Sequence, residues 1–174
     1  MSSKTRKDDD VMKLIVAVSK NWGIGKDNGL LFSIPTDMKF FRETTKGHTV
    51  VMGRKTLESF PGGKPLKNRV NIVLSSNLEE QEGYTVVRNL DELLETVKSI
   101  DDDVFVIGGE SVYRLLLPYT DTAYVTKVDA FRAADSFMPD LDADDNWVME
   151  NCSEEINEND VTFKFCTYKR ISKE

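Results

Sequence analysis

The sequence predicts one α/β domain, with a central, mostly parallel sheet of about eight strands, an antiparallel C-terminal hairpin and about four flanking helices. The length of 174 residues fits a single domain with a full core. Apolar runs of strand length alternate with amphipathic helical segments over the first two thirds, as in sheets whose parallel strands are joined by helices. The last third holds three strand-like stretches with no helix between them, which predicts the antiparallel end.

Composition excludes membrane-spanning and secreted proteins from our expectations. Hydrophobic residues make up 40% of the chain and charged residues 30%, as in ordinary globular proteins. No apolar run approaches the ~20 residues that a membrane helix needs, and residues 1–10 lack the apolar core of a signal peptide. We therefore expect a cytoplasmic protein, with residues 1–12 as a disordered extension and the folded domain over residues 13–172.

Cysteine and histidine are too scarce for metal or hydrolase chemistry. Cys152 and Cys166 are the only cysteines, and His48 is the only histidine. Their spacing fits no metal site, so no metal is predicted, and two cysteines in a chain of this size do not indicate a disulfide framework. A Ser-His-Asp hydrolase would need His48 as its base, and the absence of a Gly-x-Ser-x-Gly motif argues against that class.

The net charge of −7 is unevenly distributed. Residues 129–160 hold eleven acids and a single base, Arg132, whereas the rest of the chain holds nineteen acids and twenty-two bases. We interpret the acidic segment as a solvated outer face, which leaves the remainder free to bind an anionic ligand. An acidic chain is a poor nucleic-acid binder, so no nucleic-acid partner is predicted.

The first predicted elements are a buried strand and a glycine-rich loop. Residues 14–18 form a continuous apolar run, typical of a strand covered on both faces. Gly23 and Gly25 follow, but no helix opens directly after them, so we reject a Rossmann dinucleotide fingerprint. Residues 30–35 are predicted to be extended. The three glycines of residues 23–29 would let this loop change shape or approach a ligand closely.

A short amphipathic helix is predicted after this loop. Thr36 is assigned as its N-cap, Asp37 lies in its first turn and Gly47 follows its last turn. Asp37, Met38 and Phe41 can line one side of this helix. Asp37 either complements the helix dipole, which its position alone favours, or is the polar centre of a pocket, where its carboxylate would need a partner. The local sequence leaves both interpretations open.

Three predicted strands are each followed by residues that suit phosphate binding. They are residues 49–52, followed by Gly53-Arg54-Lys55-Thr56 and a short helix; residues 69–76, which end in Ser75-Ser76; and residues 104–107, followed by Gly108-Gly109 and a helix over residues 110–117. Ligand crevices in α/β sheets lie at the carboxyl ends of strands, and backbone donors at helix starts bind phosphate. Each motif alone is weak evidence, because basic turns and tightly packed glycines are common.

The remaining predicted elements complete the sheet. They are strands over residues 84–87, 122–128, 148–155 and 161–170, a helix over residues 91–98 and a hairpin connection at residues 158–160.

Five motifs, in this order along the chain, resemble those of dihydrofolate reductases. They are Gly23-Ile24-Gly25, Ile34-Pro35-x-Asp37-Met38-x-x-Phe41, Met52-Gly53-Arg54-Lys55-Thr56-x-Glu58-Ser59, Arg69-x-Asn71-Ile72-Val73-Leu74-Ser75, and Val106-Ile107-Gly108-Gly109 with Tyr113. The resemblance covers residues 14–170. It implies reduction of 7,8-dihydrofolate to tetrahydrofolate with NADPH, for one-carbon metabolism and thymidylate and purine synthesis. We expect a monomer, because no long apolar stripe or heptad pattern appears.

The resemblance implies catalytic roles for three residues. Asp37 matches the carboxylate that binds the amidine edge of the pterin and supports protonation of N5, and Thr126 matches its hydrogen-bonding partner. An apolar setting tends to raise the pKa of such a carboxyl group. Phe32 follows Leu31 where bacterial members usually carry Pro-Trp, so the ring surface is kept but the indole N–H is lost. We expect this departure to alter proton delivery and loop motion but not the class of activity.

The same resemblance implies the binding residues. Arg69 matches the arginine that binds the α-carboxylate of the substrate's glutamate, a bidentate task that suits a guanidinium group. The pterin and benzoyl walls match Ile15, Val16, Ala17, Met38, Phe41, Phe60, Leu66 and Ile107, with Arg42 and Lys64 at the periphery. The cofactor residues match Ala17, Ile24, Gly25, Gly53, Arg54, Lys55, Thr56, Leu74, Ser75, Ser76, Ile107, Gly108, Gly109, Val112 and Tyr113. Residues 23–31 would act as a lid.

Two other functions fit parts of this pattern. A related NADPH-dependent reductase of another pterin or of a pyrimidine would share the cofactor motifs but would need neither Asp37 nor Arg69. A nucleotide-binding module without catalysis would need no apolar pocket around an acid. Asp37 and Arg69 therefore discriminate between the three.

Overall fold

The computed structural model describes residues 12–171, so the predicted disordered extension lies outside them except for Met12, the first residue of β1. The strands are β1 (Met12–Val18), β2 (Gly23–Lys26), β3 (Gly29–Leu30), β4 (Thr49–Gly53), β5 (Val70–Leu74), β6 (Thr85–Val87), β7 (Val104–Val106), β8 (Thr120–Val128), β9 (Ser136–Phe137), β10 (Trp147–Cys152), β11 (Ile156–Glu158) and β12 (Val161–Arg170). The helices are α1 (Pro35–Thr45), α2 (Arg54–Ser59), α3 (Leu90–Lys98) and α4 (Glu110–Leu116). None of these helices is long and apolar enough to cross a membrane.

The main sheet has its strands in the order β10-β12-β8-β1-β7-β4-β5-β6, and β11 pairs with β12 outside this row. Every pairing from β8 to β6 is parallel. The pairings of β12 with β8 and with β10 are antiparallel. The predicted fold class is therefore confirmed. Because the parallel strands share one direction, their carboxyl ends lie along one edge of the sheet.

Helices cover both faces of this sheet. On one face, Leu93 of α3 and Leu116 of α4 pack in a core that includes Val16 of β1. On the other face, Leu57 of α2 packs with Ile15 of β1, and aromatic side chains of α1 pack against this second core. Neighbouring side chains of a strand point to opposite faces, so residues 15 and 16 belong to different cores.

The glycine-rich loop is a β-hairpin rather than an irregular loop. β2 pairs antiparallel with β3, and β9 pairs with the other side of β2. Asp27 and Asn28 form the tip and have positive φ angles of 52° and 62°, as a type I′ turn requires. No helix opens at the third glycine, which agrees with the rejection of a Rossmann turn, since α1 begins only at Pro35.

The assignment of Thr36 as the N-cap of α1 was wrong. The helix begins at Pro35, with Ile34 as its N-cap and no hydrogen bond from a capping side chain. Proline suits the first helical position because its φ angle is already helical and it has no N–H to leave unpaired. Thr36 therefore lies within the first turn, immediately before Asp37.

A disulfide that the sequence analysis did not predict joins Cys152 of β10 to Cys166 of β12. The pairing register places the two residues directly opposite each other, which their spacing in the sequence does not reveal. The predicted hairpin connection before β12 is confirmed. Asn159 and Asp160 both have positive φ angles, 53° and 64°, at its tip.

Candidate active site

The centre of the candidate site is the carboxylate of Asp37. Asp37 lies in the first turn of α1, and the hydroxyl of Thr126 on β8 donates a hydrogen bond of 2.6 Å to its Oδ1 atom. Thr126 is itself buried. Burial raises the pKa of Asp37 above the usual carboxyl value, and the hydrogen bond from Thr126 partly opposes this rise. The carboxylate is thus a desolvated group with a fixed partner, and its position at the helix start is not its only role.

Tyr113 of α4 bonds to β1 and lies near the carboxylate of Asp37. Its hydroxyl is buried and donates to the backbone oxygen of Ile15 at 2.8 Å. Burial raises the pKa of Tyr113 well above its usual range, and the negative charge of Asp37 raises it further. Tyr113 and Asp37 therefore lie close enough for their charges to interact. Asp37 is also near the carboxyl end of β1, because its partner Thr126 is paired with Ala17.

Most of the predicted wall residues come together around this end of β1. Ile15 belongs to the second core, with the partly buried side chains of Phe41, Phe60, Leu66 and Ile107 packed against it. The Val16 side chain does not join them, because it lies in the core on the opposite face of the sheet. The placement of Val16 in the pterin wall stays a prediction, and it would have to rest on the backbone of Val16, since the side chain lies on the other face. Met38 is exposed, at 42%.

The guanidinium of Arg69 is held in place by three neutral acceptors. Its Nε atom donates to Thr45 Oγ1 at 2.8 Å, and its two terminal nitrogens donate to the backbone oxygens of Lys67 and Arg42 at 2.5 and 3.2 Å. Within residues 12–171, Arg69 forms no ion pair with an acid. Burial and the neighbouring charge of Arg42 both lower its pKa. Arg69, which has no acidic partner among these residues, and its cationic neighbour Arg42 together favour the binding of a carboxylate. Lys64 is exposed beyond this pair.

The carboxyl ends of β4 and β7 meet at glycines. Gly53 N donates to Gly108 O at 2.9 Å, and the peptide bond between Gly108 and Gly109 is cis. A Cβ atom at Gly53 would lie 3.1 Å from the Val112 side chain, and one at Gly109 would lie 3.7 Å from Thr56 Oγ1. Glycine at position 53 therefore permits the close packing of β4 against Val112 of α4. The pyrophosphate site predicted at these glycines stays a prediction.

Cations surround the neighbouring end of β5. Ser75 and Arg54 both contact the side chain of Asn77, at 3.3 and 3.4 Å. Ser76 follows Ser75 and is exposed, whereas Leu74 packs against the first core. The guanidinium of Arg88 donates to the backbone oxygen of Ser75 at 3.2 Å. Arg88 was missed, although it directly follows strand β6 and the rule for carboxyl ends of parallel strands would have found it.

The hairpin of β2 and β3 is bonded to the residue before β9. Asp27 N donates to Asp135 Oδ2, and Asp135 N donates to Gly25 O, each at 2.9 Å. The bond from Asp27 is the main reason that the pKa of Asp135 is lowered. Gly25 has no room for a side chain, because a Cβ atom would lie 2.8 Å from Gly29 O. Asp135 is exposed, as predicted for the acidic segment, and it also bonds to the hairpin.

The hairpin also lines a cavity, and Phe32 follows it. A cavity of about 500 Å³ lies between the hairpin tip and α2, lined by Asn28, Lys55, Glu58, Asp135 and Ser136. Ile24 of β2 packs against the first core. The Phe32 ring packs against a third core around Ile34 and Phe163. The guanidinium of Arg132 lies 4.8 Å from the centre of this ring, and its Nη1 donates to Leu31 O at 3.4 Å.

Comparison with known proteins shows the family of this chain. The family model described as dihydrofolate reductase matches residues 11–170. The dihydrofolate reductase of Bacillus subtilis (strain 168) is 38% identical over 168 residues, which cover 94% of this chain and 98% of that protein. That of Schistosoma mansoni is 40% identical over 176 residues, covering 90% and 95%.

A solved structure shows the same fold. The dihydrofolate reductase from Enterococcus faecalis, complexed with NADP(H) and RAB-propyl, superimposes with a TM-score of 0.84 and 31% sequence identity. The match covers 94% of this chain and 98% of that one. The chain belongs to the dihydrofolate reductase family.

Proposed function

We propose that this chain catalyses the reduction of 7,8-dihydrofolate to 5,6,7,8-tetrahydrofolate with NADPH. The observation that carries the proposal is the desolvated carboxylate of Asp37, bonded to Thr126 and lying beside strand ends suited to phosphate binding. The reaction adds a hydride to C6 of the pterin and a proton to N5. The chain must therefore orient the pterin, favour a proton on its ring and exclude water.

Asp37 would bind and polarise the pterin. Its carboxylate can accept hydrogen bonds from the planar N–C–NH2 edge of the ring, which satisfies a charge that burial has removed from water. Thr126 fixes the orientation of this carboxylate through Oδ1. A negative charge with little solvent around it stabilises positive charge on the bound ring, and so favours a proton at N5. Ile15, Phe41 and Ile107 would enclose the ring with apolar surface.

Arg69 would select substrates that carry a carboxylate at their far end. Three neutral acceptors orient its guanidinium, and the nearby charge of Arg42 adds to the positive potential. A bound α-carboxylate would supply the missing acidic partner. This feature argues against a reductase of a small pterin or pyrimidine that lacks such a group.

The carboxyl ends of β4 and β7 would hold NADPH. The Gly53 N–H donates to Gly108 O, and α4 starts directly after Gly109, so glycine backbone and a helix start lie together at this edge of the sheet. NADPH, when bound, supplies the hydride. Arg54 and Arg88 lie near Ser75, where their charges would favour a 2′-phosphate and hence NADPH over NADH. Asp135 would hold the hairpin of β2 and β3 beside the cavity next to α2, where the hairpin would help to exclude water from the bound cofactor.

The substrate side also argues against a module that only binds nucleotides. Such a module has no use for a desolvated carboxylate in an apolar pocket. We include in the proposal that the chain acts as a cytoplasmic monomer on a small molecule and binds no nucleic acid, as the sequence predicts.

One assay tests the proposal directly. Purified protein is mixed with NADPH and dihydrofolate, and the loss of NADPH absorbance is followed, with circular dichroism to confirm folding. We expect turnover with dihydrofolate and a much higher KM with a dihydropterin that lacks the glutamate, because the contact with Arg69 is lost. In the same assay Asp37→Asn should lose activity, and Asp145→Asn, the same change at an exposed acid, is its matched control. Folded protein without turnover would overturn the proposal.

A further inference from the structure

The amino end of α1 is capped by a residue from a distant hairpin. Its N-cap, Ile34, has no polar side chain, and Pro35 has no N–H to donate. Thr36 N donates to Glu158 Oε1 at 2.9 Å, and Thr36 Oγ1 donates to Glu158 Oε2 at 3.1 Å. Both oxygens of the Glu158 carboxylate therefore bond to one residue, and that residue precedes Asp37.

This contact suits the chemistry of a helix start. The first N–H groups of a helix lack partners within the helix, and a carboxylate that accepts from them also faces the positive end of the helix dipole. Glu158 is partly buried, unlike its acidic neighbours Glu154 and Glu155, which are exposed. Within residues 12–171, Glu158 forms no ion pair with a lysine or arginine. Its carboxylate is thus directed to the helix rather than to a basic side chain.

The hairpin that carries Glu158 is connected to the partner of Asp37. Glu158 pairs with Val161 at the start of β12, and Phe165 further along β12 pairs with Thr126 on β8. A second bond from the hairpin, Asn159 Nδ2 to Ser33 O at 3.0 Å, holds the residues before the helix. The β11–β12 hairpin and β8 therefore hold Asp37 from two directions.

We propose that Glu158 is a positioning residue for Asp37: it fixes the first turn of α1 so that the Asp37 carboxylate meets Thr126 and the pterin at the correct distance. The expected effect on kinetics rests on the proposed function, whereas the capping of α1 by Glu158 rests on the two hydrogen bonds alone. Small displacements of a catalytic group lower turnover strongly, so loss of the cap reduces activity more than it reduces folding.

The cap is tested by amide hydrogen exchange, without any assay of activity. Glu158→Ala removes both bonds, Glu158→Gln removes the charge and keeps one acceptor, and Glu155→Gln is a matched change of an exposed acid before the same strand. We expect exchange of the Thr36 amide to become at least about tenfold faster in Glu158→Ala, less so in Glu158→Gln, and to stay unchanged in Glu155→Gln. The carboxyl ¹³C shift of Asp37 should move in the same order.

Kinetics then separate positioning from stability. At a temperature where all variants are folded, kcat/KM for dihydrofolate should fall about tenfold in Glu158→Ala, while KM for NADPH stays within about twofold. Thr36→Ser keeps both donors and should behave as wild type. Should Glu158→Ala fail to fold, Glu158→Gln provides the same comparison. Faster Thr36 exchange with unchanged kcat/KM and an unmoved Asp37 carboxyl shift would overturn the positioning role. Wild type without turnover would instead overturn the proposed function, and the exchange and ¹³C results would still decide the inference.

Discussion

The proposed cofactor side and the proposed substrate side of the site are built differently. The cofactor side uses two short contiguous motifs, Gly53 to Thr56 and Gly108 to Gly109, joined by a backbone bond between two strand ends. The substrate side depends on side chains that are distant in sequence: Asp37 bonds to Thr126, 89 positions away. Contiguous motifs therefore supply most of the cofactor side, whereas the contact between Asp37 and Thr126 joins single residues that only the folded sheet brings together.

The difference also concerns solvent. The cations near Ser75 are exposed and act through charges that water and salt screen. Asp37 is desolvated, so its charge acts over a short distance with little screening. We therefore expect substitutions on the substrate side to have the larger effects, in the order of the following predictions.

The largest effect is expected for Asp37→Asn. Turnover at neutral pH should fall about 100-fold or more, because the amide cannot supply the negative charge that favours a proton on the pterin. The loss should be smaller at low pH, where dihydrofolate arrives already protonated. Steady-state kinetics over a range of pH give both values. Wild-type turnover by this variant at neutral pH would remove Asp37 from the mechanism.

Arg69→Leu should act mainly on substrate binding. We expect KM for dihydrofolate to rise by about 10- to 100-fold, with a much smaller change in kcat, because a charge-assisted contact to the glutamate is lost. KM for dihydrofolate in Arg69→Lys should fall between those of wild type and Arg69→Leu, since an ammonium group keeps the charge but cannot bind bidentately. An unchanged KM in Arg69→Leu would place the contact with the glutamate elsewhere.

Arg88→Ala should reduce the preference for NADPH. We expect KM for NADPH to rise about tenfold and KM for NADH to stay constant, because only NADPH carries the 2′-phosphate. The effect should shrink as salt is added, since the guanidinium is exposed. Parallel titrations with the two cofactors measure it. Equal changes for both cofactors would mean that Arg88 acts on the fold and not on the phosphate.

The smallest effect concerns stability. The folded-state pKa of Asp37 is raised, so the folded protein holds this proton more tightly than the unfolded chain. The resulting stabilisation is complete below the unfolded pKa and is lost as the pH rises through the folded pKa. Asp37→Asn should therefore be more stable than wild type at neutral pH, by on the order of 1 kcal/mol, and the difference should shrink near pH 4. Urea unfolding at both pH values measures it. A destabilised variant at neutral pH would contradict burial of the charge.

The same contrast explains what the sequence could predict. Gly53-Arg54-Lys55-Thr56 and Gly108-Gly109 are contiguous and follow apolar strands, so their position at the sheet edge was predictable. Thr126 was identified only through the family resemblance, because nothing in its local sequence indicates a contact with Asp37. Thr36 was misassigned as the N-cap because the carboxylate that accepts from the first turn of α1 belongs to Glu158, on the distant strand β11. The Cys152–Cys166 bond was missed because it depends on the β10–β12 register.

The central claim is that Asp37 is a desolvated carboxylate tuned by Thr126, rather than an acid that complements a helix dipole. NMR titration of the Asp37 carboxyl in the protein without ligand tests it most directly. The account predicts a pKa above the usual 3.8, and a further rise in Thr126→Val, where the hydrogen bond that lowers it is lost. A pKa at or below 3.8, the value expected for an exposed acid at a helix start, would contradict the account.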